Sequence, residues 1–456
     1  MKIEIFLFSI LWSIFSIIMV KFKRIIYFSI ENIVSMLPNY LASEVSAYSI
    51  HQSSIPQEEQ LTLTKQGINS LSQLSNFDIP RDIQVLQMDK NNIAEIDNTL
   101  SDYPTIAFLN LSQNLITQIQ GLTKLTQLIL LDLSRNKIRQ LENLEANTKL
   151  KRLLLNRNLI QTINLKVPLP NLIVLDIHKN PLQFANFGKA FPKLRELHID
   201  ECLLTTLKGI ETFESLKKLM CQKNKIKDSS ETLLTHQTIE CIDASENQIK
   251  TIVPFLNLST LTYLNLKGNP LSDSSFQISQ KVLKSDPNFL SKIPKLKAFI
   301  ASKTNISTIF PIVQIFPHIE SVDLSNSQLH NLADVLKFIS EAKSLKYIDL
   351  TGNPINKDLY PDEFALNHKE QSESITFFNQ KYPAKQENRQ TYRQTILQRS
   401  SGNIEVLDRI KTKGEFIKPS PKCSAPASSE EYDYVDEEEE ERHKLLDLHS
   451  HSESAD

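Results

Sequence analysis

One eleven-residue pattern recurs along most of the chain. "LILLDLSRNKI" begins at Leu128, "IAFLNLSQNLI" begins 22 residues earlier at Ile106, and "LKRLLLNRNLI" begins 22 residues later at Leu150. The template L-x-x-L-x-L-x-x-N-x-I starts at Ile83, Ile106, Leu128, Leu150, Leu172, Leu194, Leu216, Ile239, Leu261, Leu296, Ile319 and Leu345. Its spacing is 22 or 23 residues as far as Leu261, then 35, 23 and 26. A unit this short cannot bury its own apolar edge, so it must stack on copies of itself. The period therefore demands a solenoid.

The position of each residue in the unit predicts its role. Residues 4 to 6 should form a short strand, with 4 and 6 pointing inward and 5 outward. Stacked strands make a parallel sheet on one face, and the other half of each unit, such as Ile119, Leu122 and Leu125, lines the opposite side of the core. The Asn at position 9 should turn the chain and bond its buried amide to the backbone of neighbouring loops. Asn91, Asn114, Asn136, Asn158, Asn180, Asn224, Asn247, Asn269 and Asn353 form this ladder, which Cys202, Thr304 and Ser327 interrupt. An atypical unit at 61–68 opens the array.

These motifs resemble leucine-rich repeats of the 22-residue class. The segment "YRQTILQRSSGNIEVLDRIK" (392–411) resembles the C-terminal cap of that class, with Tyr392, Arg393, Ile404, Leu407 and Asp408 at the matching places. Such caps occur in regulatory subunits of protein phosphatase type 1 and in ciliary and axonemal repeat proteins. The resemblance implies an α/β solenoid, a horseshoe of about 12–13 repeats with a parallel concave sheet. The chain departs from the class at two insertions. One, at 272–295, reads as helical, with Phe276, Val282 and Leu283 on its apolar side. The other, at 356–391, enlarges the cap.

The predicted organisation has five parts. Residues 1–35 are a hydrophobic segment, 36–57 a linker, 58–355 the array, 356–415 the expanded cap, and 416–456 an acidic tail whose composition predicts disorder. The stretch "IFLFSILWSIFSIIMV" (5–20) leaves three readings open: a membrane anchor whose flank Lys21, Lys23 and Arg24 faces the cytosol, a targeting peptide, or upstream sequence with the true start at Met36. The net charge of −2 hides an asymmetry. Glu430 to Asp456 carries −10, leaving +8 for the rest.

No phosphate loop, zinc spacing or nucleophile motif is present, and only 8 residues are Gly, so neither an enzyme nor a cofactor or metal site is expected. The tail histidines His443, His449 and His451 read as solvated. Nucleic-acid binding is not expected either, because the basic excess is dispersed and mixed with Asp. The four Cys form no CxxC pair and no Cys-rich cap. That favours a reducing compartment, the cytoplasm, with cilium or nucleus as alternatives.

The remaining expectation is a protein partner on the concave face. Positions 3 and 5 supply the candidate contacts: Phe108, Asp132, Arg152, Asp176, Glu196, His198, Lys218, Asp243, Tyr263, Asp323, Tyr347 and Asp349. Phe108, Tyr263 and Tyr347 should be the exposed anchors, since aromatic side chains dominate interfaces. The resemblance to phosphatase regulators implies that such acidic and aromatic residues grip the phosphatase, although Arg152 and Lys218 interrupt the row. The expected function is a non-enzymatic scaffold, axonemal in one version. The alternatives are a phosphatase regulator and a membrane-anchored recognition protein.

Overall fold

The computed structural model describes residues 56–227, 236–277, 293–362, 364, 372, 374–400 and 402–412. The chain divides into two compact units, Met1–Gln57 and Glu58–Asp456, and the described residues fall almost entirely in the second. The apolar stretch 5–20 with its three readings, the acidic tail and most of the first insertion, which was expected to be helical, lie outside them. Among the described residues, no helix is long and apolar enough to cross a membrane.

Thirteen three-residue strands, from Gln60–Thr62 to Tyr347–Asp349, follow one another in chain order as parallel neighbours. The register is constant. Leu130 faces Arg152, Leu131 faces Leu153 and Asp132 faces Leu154, for example. Two cap strands complete the sheet of fifteen: Val406–Leu407 pairs in parallel with Tyr347–Asp349, and Ile410–Lys411 closes the edge antiparallel.

Each strand occupies positions 3 to 5, one residue earlier than the pattern predicted. In seven of the thirteen an Asp or Asn stands at position 5 and accepts a hydrogen bond from the N–H two residues on, as Asp132 does from Ser134 at 2.9 Å, so that an Asx turn follows the extended segment; the other six strands end at the same place without one. Backbone bonding between repeats nonetheless continues beyond it, through Leu133 N to Leu154 O and Arg135 N to Asn156 O, both 2.8 Å.

The core follows from the template. Leu128, Leu131, Leu133 and Ile138 are fully buried, as are Ile119, Leu122 and Leu125 from the opposite side, in one cluster running from Leu63 to Ile410. The Asn rungs tie it to the turns. Asn136 donates to Leu111 O, Leu133 O and Ser134 O and accepts from Ile116 N at 3.0 Å. Cys202 fills its rung with two weak contacts of 3.6 Å to carbonyl oxygens, and burial pushes its thiol up to about 12. Thr304 and Ser327 bond to each other instead, at 3.1 Å.

The convex sides of two late repeats carry α-helices, Phe310–Ile315 and Leu332–Glu341, where early repeats have turns or 3-10 helices. The first fits within a unit of 23 residues, and the second accounts for the unit of 26. Asn331 caps the second helix, which buries Val335, Phe338 and Ile339 at helical spacing. At 272–295, the described beginning is a 3-10 turn, Asp273–Phe276, whose Phe276 packs edge-on against Phe299.

The cap uses the expected residues and recruits others from the second insertion. Tyr392 and Arg393 lie buried in the helix Gln386–Arg399, and Arg393 donates to Leu407 O at 2.7 Å. Tyr360, Phe364 and Phe378 form an aromatic cluster beneath them. The insertion is thus part of the closure that shields the last repeat.

Candidate partner-binding face

Parallel strands about 4.8 Å apart bring equivalent positions of successive repeats into contact. Rows 3 and 5 of the concave sheet are therefore carpets in which each side chain covers its neighbours. This is why half of the predicted contact residues are not accessible. Phe108 and Tyr263, expected as exposed anchors, are 5% and 8% exposed. Tyr263 packs with Cys241 and Ala298 on the adjacent rungs. Asp176, His198, Lys218 and Asp349 are buried as well. Asp132, Arg152, Glu196, Asp243, Asp323 and Tyr347 are half-buried and present surface to solvent.

The position-5 acids also carry a duty that their spacing did not suggest. Asp132, Asp176, Asp243, Asp323 and Asp349 each accept the N–H of position 7 through one carboxylate oxygen. Two of them meet an Asn of an adjacent rung with the other oxygen. Asn156 donates to Asp176 Oδ2 at 3.0 Å, and Asn265 donates to Asp243 Oδ2 at 2.9 Å. The signal was present in the sequence as D-x-S, D-x-T and D-x-H in five of the units.

The centre of the face holds a paired charge network. Lys218 Nζ lies 2.7 Å from Glu196 Oε1, and His198 Nε2 lies 2.8 Å from the same oxygen. Burial pushes the Glu196 carboxyl up, but His198 and the Lys218 charge outweigh it and hold it down at about 2. One strand earlier, His178 Nδ1 lies 2.6 Å from Asp176 Oδ1. Burial disfavours charge on both, yet the pair lowers the carboxyl and raises the imidazole. Beside them, burial raises the Asp200 carboxyl despite the two histidines.

A second network joins the face to the cap. Arg409 Nε lies 3.1 Å from Asp349 Oδ2, and Arg409 Nη2 donates to Thr351 Oγ1 at 2.6 Å. Its guanidinium stacks over the Phe364 ring at 4.4 Å. Asp408 accepts from Tyr360 Oη at 2.7 Å and from Leu350 N at 2.8 Å. Burial and the neighbouring Asp349 charge raise the Asp408 carboxyl to about 6. Burial and Asp323 likewise raise Asp349. Arg409 and Tyr360 escaped sequence reasoning because they come from opposite ends of the cap.

Among the described residues, no group of three or more His, Cys, Asp or Glu could hold a metal ion. A cavity of about 620 Å³ lies off this face, between the cap helices Ile375–Lys381 and Gln386–Arg399 and the strand Ile410–Lys411, lined by Asn379, Gln390, Arg393 and Lys411 among others.

No family model matches the sequence, and no curated protein is significantly similar to it. Solved structures do match. The internalin InlF of Listeria monocytogenes superposes with a TM-score of 0.50 at 21% identity, covering 65% of this chain and 81% of that one. A leucine-rich-repeat protein of Leptospira interrogans gives 0.48 at 22% identity, covering 64% and 78%. One chain of the LRIM1/APL1C complex gives 0.49 at 20%, covering 64% and 52%. The strand order, the register, the Asn ladder and the superposition on InlF together define the fold: a leucine-rich-repeat solenoid.

Proposed function

We propose that this chain is a non-enzymatic scaffold that holds a protein partner on its concave face. One observation carries this reading. The concave sheet of thirteen rungs presents half-buried polar side chains, among them Asp132, Arg152, Glu196, Asp243, Asp323 and Tyr347, and hydrogen bonds set the positions of Asp132, Glu196, Asp243 and Asp323 before any partner arrives. Twelve steps of about 4.8 Å span roughly 58 Å, the dimension of a protein surface rather than of a small ligand. Pre-set polar groups favour specificity and cost little ordering entropy on binding. The half-buried charges set the contact pattern, and the buried members of rows 3 and 5 hold it in place.

Two partner classes are supported by the resemblance of the cap and repeat class: the catalytic subunit of a type 1 phosphatase, and axonemal proteins. Affinity capture of the full-length chain from its own cells, read by mass spectrometry, separates them. Stoichiometric phosphatase catalytic subunit makes it a phosphatase regulator. Tubulin or dynein-associated proteins make it an axonemal scaffold. Recovery of neither, with only chaperones present, would contradict the scaffold reading.

A further inference from the structure

A rail of cations runs along the turns beside the concave face. Position 8 of every unit has a left-handed backbone, with φ between 50° and 57° from Lys65 to Lys223. In the later repeats Gly268, Asn326 and Gly352 meet that demand with the residues it suits, while Glu246 and Lys303 hold it with ordinary ones. The first eight rungs instead carry Lys65, Lys90, Arg135, Arg157, Lys179 and Lys223, with neutral Gln113 and one acid, Glu201. Glu201 lies 3.4 Å from both Lys179 and Lys223. The N–H of each rung donates to the next repeat, as Arg157 N does to His178 O and Lys179 N to Asp200 O, both 2.9 Å. The backbone of the rail is therefore rigid, its rungs stand about 4.8 Å apart, and it is roughly 34 Å long. Lys65, Lys90 and Lys223 are exposed, and Arg135, Arg157 and Lys179 half-buried. Neither position 8 nor position 10 of these units carries an aromatic residue; Leu115 and Leu159 stand there instead. Single-strand nucleic-acid sites interleave cations with stacking rings, so the rail lacks that signature.

We infer that this rail is the docking surface for the chain's own acidic block, residues 430–441, bound extended along it. Twelve extended residues span about 40 Å, a match to the rail in length and opposite in charge. The chain leaves the cap strand at Lys411, and about 18 residues separate Thr412 from the block, up to about 60 Å of tether. Lys223 is six strand steps from Val406–Leu407, roughly 29 Å, and Arg135 four more. Tethering makes the contact intramolecular, at an effective concentration near millimolar. An acidic partner must then displace the block to reach the rail.

The test uses a fluorescein-labelled decaglutamate peptide, read by anisotropy at low salt against three forms of the full chain: unaltered, with Glu437 to Glu441 each changed to Gln, and with Arg135→Asn, Arg157→Asn and Lys179→Asn added to that second form. Asn tolerates the left-handed conformation, so the rail keeps its fold. Neutralising the block should tighten peptide binding about tenfold or more, and the three Asn changes should abolish the gain. Equal affinity of the first two forms, or persistence of the gain in the third, overturns the assignment. So does tighter binding of a decauridylate probe than of decaglutamate, which would make the rail a phosphate reader. A change of mass from dimer to monomer in light scattering on neutralising the block would also overturn it, placing the block on a second copy.

Discussion

Lys218 and Glu196, on neighbouring rungs, meet at 2.7 Å in the middle of the concave face, with side chains 8% and 16% exposed. Removing Lys218 leaves the Glu196 charge with His198 alone, in a place that water barely reaches. Lys218→Met should therefore cost about 2–4 kcal/mol. Adding Glu196→Gln should recover more than half of it, because no unpaired charge then remains. Urea midpoints of the two single variants and the double variant supply the check. Additive losses would mean that the pair is a surface contact only.

The two charge networks should respond to acid in opposite directions. Asp408 titrates at about 6 when folded, above the ordinary carboxyl value, so the folded cap binds a proton that the unfolded chain releases. Its stabilising contribution is complete below pH ~4 and is lost as pH rises through about 6. Glu196 is the reverse, with a folded value of about 2. Its contribution is present above pH ~4.3 and is lost as pH falls toward 2. Hydrogen exchange, corrected for intrinsic rates, should show Leu350 and Asp408 amides better protected at pH 5 than at pH 7. The amides of Glu196–His198 should change little over that interval and lose protection below pH 4. Uniform behaviour across both regions would refute the distinction.

Tyr360→Phe should act through Asp408. It removes the hydroxyl donated to the fully buried Asp408 carboxylate, a bond worth about 1.5–3 kcal/mol to a charged acceptor. The loss should be largest at pH 7.5 and shrink toward pH 5, where the carboxyl is protonated. A thermal shift independent of pH would show that Tyr360 acts by packing alone.

Asn136→Ala leaves four hydrogen bonds unmade inside the core. A cost of about 1–3 kcal/mol is expected, with exchange protection falling around 128–158 and little change in the cap. Thermal stability equal to the parent's would contradict the register of the whole array.

Much of this architecture was legible before the structure. The 22-residue period specifies the stacking, the Asn at position 9 marks the turn, and Tyr392, Arg393 and Leu407 mark the cap. Accessibility was not legible. A pattern read one unit at a time places Phe108 and Tyr263 on the open face, but their burial comes from the rungs on either side. Strand placement was misjudged by one residue, since the three extended residues stand at positions 3 to 5 rather than 4 to 6, and an Asx turn anchored at position 5 follows seven of them. The pairing of Lys218 with Glu196 depends on a lateral contact across 22 residues, and that of Arg409 with Asp349 on how the chain returns after a 36-residue insertion. Local spacing encodes neither.

The claim that the concave face holds the partner is tested most directly by charge reversal on opposite faces. Arg152→Glu with Asp243→Lys alters two half-buried concave residues, and Lys124→Glu alters an exposed residue of the other half-repeat. Each full-length form would be used to capture partners from the same cells, with recovery quantified by mass spectrometry. The account predicts that the concave double variant loses the proteins bound by the parent at least tenfold, while Lys124→Glu retains them. Undiminished recovery by the concave variant, or loss by Lys124→Glu alone, would contradict it.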